Sequence, residues 1–136
     1  MIKWAGWLIV VYGTAHILGA LTAEGAARHA GAWFSGELRG EDLAIMSPAM
    51  SAYWLSLNSF GPPLVLIGLT VLWLARRRMT PPRFIAWALG VWVVVGVVVI
   101  GPGIGQDLIL LVACGLLLAG ARRADSVPRA ERQAVS

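Results

Sequence analysis

The chain has 136 residues, 58% of them hydrophobic and 13% charged, with a net charge of +4. That balance lies far from an ordinary soluble domain and points to a membrane. The lone cysteine, Cys114, rules out an internal disulfide framework and reads as a small buried hydrophobe.

A spanning helix needs about 20 predominantly apolar residues, and four segments qualify approximately: 4–22, 49–75, 84–100 and 107–121. The expected fold class is therefore all-α: one polytopic membrane four-helix bundle over 1–123, followed by a disordered tail over 124–136. In the first segment, Lys3 precedes an apolar run ending in GALTAEG, a pattern that a secretory signal shares. The expectation here is a retained helix. It carries an imidazole, His16, inside a run otherwise built for lipid.

The connection over 23–48, AEGAARHAGAWFSGELRGEDLAIMSP, is long for a compact protein and is expected to hold structure of its own. Glu24 and Arg28 sit four apart, a helical ion-pair spacing. His29, Trp33 and Glu37 repeat at the same interval along one face, and Trp33 and Phe34 suit an anchor at the headgroup level. The prediction is a short interfacial helix capping the outer end of the bundle. Surface packing and the rim of a binding site both account for that stripe.

In the second segment Ser47, Ser51, Trp54 and Asn58 follow three-and-four spacing. Pro62 and Pro63 cannot donate to the carbonyls four residues earlier, so a kink is predicted there. Such breaks are tolerated in membranes where another group or a water-lined cavity satisfies the backbone. The loop RRRMTPP places Pro81 and Pro82 to start the third segment. GPGIGQ makes a tight reversal into the fourth. That glycine run has no preceding strand and no Gly-Lys-Ser/Thr ending, so it is not a phosphate loop.

With four spans, Lys3, Arg76, Arg77, Arg78, Arg83, Arg122, Arg123 and the tail arginines fall on one side, and only Arg28 and Arg39 on the other. The positive-inside rule then makes both termini cytoplasmic. The same distribution turns the pI of 10.2 into a topology signal with affinity for anionic headgroups, not a nucleic-acid surface.

Counted from Trp4 at about 1.5 Å per residue, His16 lies roughly 18 Å deep, in the outer half of a ~30 Å hydrocarbon core. Asn58, counted down from the outer edge of the second segment, falls at the same depth. Tyr12 shares the His16 face one turn away. Polar groups in lipid turn toward the bundle interior or a watered cavity. These residues therefore predict an outer-facing pocket between helices one and two. His16 is its candidate acid/base, Tyr12, Ser51, Trp54 and Asn58 are its candidate ligand contacts, and Glu24, His29, Trp33 and Glu37 form its rim. The plainer account makes His16 interhelical glue, hydrogen-bonded to Asn58 or a freed carbonyl and worth about 1 kcal/mol. Small-xxx-small spacing at Ala15/Gly19, Gly19/Ala23 and Ala86/Gly90 predicts close helix contacts.

The order KWAGWLIVVYGTAHILGAL, RHAGAWFSGELRGEDLAIMSP, AYWLSLNSFGPPLVLIGLTVLWL and PPRFIAWALGVW resembles a family of small actinobacterial integral membrane proteins, catalogued as a domain of unknown function. The resemblance spans nearly the whole chain except the tail. It implies a bacterial inner-membrane four-helix protein and carries no activity to any residue.

Two functions stay open. One is binding of a hydrophobic small molecule or lipid from the outer leaflet, with His16 available for acid/base work because histidine ordinarily changes charge near neutral pH. The other is an accessory membrane subunit whose polar cluster holds helices together. A dimeric exporter is disfavoured because no Asp or Glu lies deep in a span. No cofactor is expected: haem lacks a convincing ligand pair, and His29 to Glu37 lacks metal spacing. The expected partners are membrane lipids, with self-association left open and no nucleic acid.

Overall fold

The computed structural model describes residues 1–42, 44–101 and 106–133. All regular structure among them is helical: α1 (Ile2–Thr22), a 3-10 turn (Ala26–His29), α2 (Ala30–Ser35), α3 (Pro48–Leu55), α4 (Gly61–Arg76), α5 (Arg83–Ile100) and α6 (Gln106–Gln133). One of these, α1, is long and apolar enough to cross a bilayer by length and composition. Two compact units divide the chain, one formed by 1–10 and 66–136, the other by 11–65.

In the first unit α5 and α6 pack against each other. Ala86, Leu89 and Val93 of α5 are buried at three-and-four spacing, as are Leu110, Ala113, Cys114, Leu117 and Ala121 of α6. The start of α1 closes on α4 through glycine. A Cβ placed on Gly68 would stand 2.9 Å from the Gly6 carbonyl oxygen and 2.9 Å from the Val10 nitrogen. The opposite faces are apolar too: Trp73, Phe84, Trp87, Val91, Val94, Val95, Val98, Leu108 and Val112 are all exposed.

The end of α4 is closed by a Schellman arrangement. The Met79 N–H donates to the Leu74 carbonyl at 3.0 Å and the Arg78 N–H to the Ala75 carbonyl at 3.4 Å. Arg78 holds the left-handed position of this motif, φ 56°, the one described non-glycine residue with positive φ.

In the second unit Gly13 and Gly61 make the matching close approach. The predicted second span over 49–75 is not one helix. It is broken between α3 and α4, and the break is more complete than a proline kink because serine side chains add bonds of their own to the backbone there. The Ser56 hydroxyl, fully buried, donates to the Ala52 carbonyl at 2.6 Å, and the Ser59 hydroxyl donates to the Ser56 carbonyl at 2.7 Å. The Gly61 N–H donates to Ser59 Oγ at 3.2 Å, and the Leu64 N–H opens the α4 ladder on the Phe60 carbonyl. Pro62 and Pro63 then occupy the first turn of α4, where a missing N–H costs nothing.

The connection over 23–48 contains the 3-10 turn and α2. The helix is shorter than its stripe requires: Gly36 takes the left-handed conformation, φ 89°, so Glu37 falls outside it. Glu24 and Arg28 do not meet through their charges, since the Arg28 guanidinium donates to the Glu24 backbone carbonyl at 3.4 Å. The small-residue contacts predicted at Gly19 and Gly90 are not formed, a Cβ at either meeting no atom within 4 Å. At the far end, the α6 backbone stays helical to Gln133 through most of the predicted tail. Residues 134–136, and 102–105 of the predicted glycine reversal, lie outside the described residues.

Candidate functional site

The second unit gathers an aromatic cluster on His16. The Phe60 ring, carried by the break ahead of α4, lies 4.0 Å from the His16 ring centroid and is tilted 31° to it. Tyr12, one helical turn from His16, stacks with the Phe60 ring at 6.1 Å between centroids and 12°. His16 is half-buried as a residue, but its Nε2 is sealed from solvent and has no hydrogen-bond partner among the described residues. A buried polar atom without a partner is uncommon and calls for an explanation.

The remaining predicted contacts scatter. Asn58 is exposed in the turn after α3, where its N–H donates to the Tyr53 carbonyl at 3.0 Å. No hydrogen bond joins it to His16 among the described residues, so the glue predicted from their equal depth is not made. The depth estimate assumed a continuous helix, and the break resets both the rise and the facing of residues beyond Leu55. Ser51 is half-buried on α3 and Trp54 is exposed there.

The rim residues also separate. Trp33 is fastened: its Nε1–H donates to the Ala49 carbonyl at 2.9 Å, and its ring meets Tyr53 edge-on at 6.0 Å. His29 is half-buried where the 3-10 turn passes into α2. Glu24 and Glu37 are exposed, and the Glu37 N–H donates to Ser35 Oγ at 3.4 Å.

No family model, curated protein or solved structure matches the chain. The chemistry must be read from its own geometry.

Phe60 was invisible to polarity-based reasoning, since an aromatic within an apolar run carries no mark. Its place just before Gly-Pro-Pro was the available signal. Glu41 and Ser47 were also missed as a pair. Ser47 Oγ caps α3 by accepting from the Met50 N–H at 3.1 Å, and its hydroxyl faces both Glu41 carboxylate oxygens at 3.0 and 2.9 Å. Together with Trp33 this ties α2 and Glu41 to the start of α3. Among the described residues no three His, Cys, Asp or Glu side chains gather as a metal site. What the geometry brings together at His16 is one buried imidazole nitrogen and the rings of Phe60 and Tyr12.

Proposed function

We propose that this is a multi-pass membrane protein of four-helix bundle type that binds a hydrophobic small molecule or lipid at the His16 cluster, from the outer leaflet. The observation that carries the reading is the buried Nε2 of His16, which lacks a protein partner beside Phe60 and Tyr12. A hydroxyl, carbonyl or carboxyl on a ligand would give it one.

The membrane placement is supported by the surface. Trp4, Val11 and Leu18 on α1 are 71%, 60% and 55% exposed, and α4, α5 and α6 present apolar side chains in the same way. Soluble monomers rarely expose contiguous apolar areas beyond a few hundred Å². The clustering of Lys3, Arg76, Arg77, Arg78, Arg83, Arg122 and Arg123 supports cytoplasmic termini in this topology. The likeness to actinobacterial inner-membrane proteins belongs to the same reading. Whether bound ligand is also transformed depends on His16 acting as acid or base, with Tyr12 orienting its partner.

The test is native mass spectrometry of the gently solubilised protein with extraction of retained lipids, comparing wild type with His16→Phe and Tyr12→Phe. Retention of a single species by wild type and its loss from folded His16→Phe supports the site. Equal, nonselective lipid in all three favours the accessory-subunit reading, for which the 4.0 Å ring contact of His16 on Phe60 is simply packing.

A further inference from the structure

The first unit contains an open hollow of about 520 Å³ whose wall includes Lys3, Arg78 and Arg123, with Trp4, Met79 and Thr80 beside them. Among the described residues no Asp or Glu lines it. Three cations, one from the start of α1, one from the end of α4 and one from within α6, line one concavity, and none has a carboxylate partner among the described side chains. Like charges brought together without a counter-charge repel one another.

Two features bring them there. Gly120 lets the start of α1 sit directly on α6: a Cβ at Gly120 would stand 2.5 Å from Ile2 Cγ1, so Lys3 and Arg123 reach the same hollow. Arg78 arrives through the Schellman turn that ends α4, at the left-handed position which glycine ordinarily fills. An arginine there is strained relative to glycine, and strain of this kind persists where function requires the side chain.

We propose that this hollow binds an anionic phosphate group, carried on a phospholipid headgroup or free in solution, through Lys3, Arg78 and Arg123. Guanidinium groups match phosphate oxygens with paired, charge-assisted hydrogen bonds, and lysine adds a point charge. The Thr80 hydroxyl supplies a further donor. Trp4, 71% exposed at the edge of the hollow, is suited to the glycerol and first acyl carbons of a lipid. None of its lining residues belongs to the His16 cluster.

The strained arginine makes the proposal separable from folding. The full chain in neutral detergent is offered phosphatidylglycerol and, separately, phosphate-free diacylglycerol, with bound lipid counted by native mass spectrometry. Inorganic phosphate is then titrated in as competitor and as sole ligand. Wild type should retain phosphatidylglycerol over diacylglycerol. Arg78→Gly and Arg78→Asn should each weaken it about fivefold, the worth of one basic residue near a charged headgroup, while melting no lower than wild type because both residues accept left-handed backbone. The Lys3→Gln/Arg123→Gln pair should weaken it further. Displacement of the lipid by inorganic phosphate, or phosphate binding alone, assigns the free anion as source; lipid binding indifferent to phosphate assigns the headgroup. Equal retention of both lipids with no phosphate binding overturns the proposal. So do Arg78 variants that bind as wild type does.

Discussion

Gly13 and Gly61 oppose each other at the α1–α4 approach of the second unit. A Cβ on Gly13 would stand 2.9 Å from the Gly61 carbonyl oxygen, and one on Gly61 would stand 3.1 Å from the Gly13 carbonyl oxygen and 2.6 Å from Ile17 Cγ1. Gly6 and Gly68 repeat the relationship in the first unit, each seven residues from its counterpart on the same helix. Small residues at such contacts let helix backbones come close, and packing of this kind drives association where lipid removes the hydrophobic force.

Gly13→Ala and Gly68→Ala should each destabilise by about 1–3 kcal/mol, because the obstruction is backbone and cannot rotate away. Gly19→Ala and Gly90→Ala face open space and should be neutral or stabilising by up to about 1 kcal/mol. Thermal or denaturant unfolding in detergent separates the two pairs. Equal effects at all four positions would show that the close approach is not what holds these helices.

Replacing His16 by Phe removes a buried nitrogen that has no partner. The variant should be as stable as wild type or more stable, by about 1 kcal/mol, while losing its retained ligand. Phe60→Ala, in contrast, opens a space beside the imidazole and, because the ring is half-buried, should destabilise by about 2 kcal/mol. A His16→Phe protein that melts well below wild type would mean that His16 has a structural partner after all.

Trp33→Phe keeps the ring near Tyr53 and removes the bond to the Ala49 carbonyl. The expected cost is about 1 kcal/mol, localised to the cap. Hydrogen exchange should therefore quicken over 26–42 and remain unchanged in α5 and α6. Uniform acceleration throughout would argue that the cap is not an independent docking element.

Ser47→Ala removes both the α3 cap and the hydroxyl that meets Glu41, at an expected cost of about 1–2 kcal/mol. Glu41→Gln leaves the cap and weakens only the charge-assisted bond, so it should cost less than half as much. Limited proteolysis between Gly36 and Met46 checks the order. Glu41→Gln cutting faster than Ser47→Ala would reverse the assignment.

The helical character was legible in the sequence because apolar runs bounded by glycine, proline and charge leave few alternatives. An interruption next to Gly61-Pro62-Pro63 was legible as well, but its place ahead of Gly61 and its completeness were not. Proline states only that an N–H is missing, whereas the capture of the Ala52 and Ser56 carbonyls by Ser56 and Ser59 is decided by folded geometry. This is why Asn58, counted along a continuous helix, was assigned to His16 and Phe60 was overlooked. The glycine contacts were missed for a different reason. Spacing of four drew attention to Ala15/Gly19, while the approaches that form recur every seven residues, two full turns, at Gly6/Gly13 and Gly61/Gly68.

The serine-lined break between α3 and α4 also has a mechanical consequence. Its carbonyls and amides are tied to residues two to five positions away, so the corner behaves as a bracket and not as a hinge. Phe60 is mounted on that bracket. The ring over the imidazole is thus carried on a short run of consecutive residues that stiffens its own mounting.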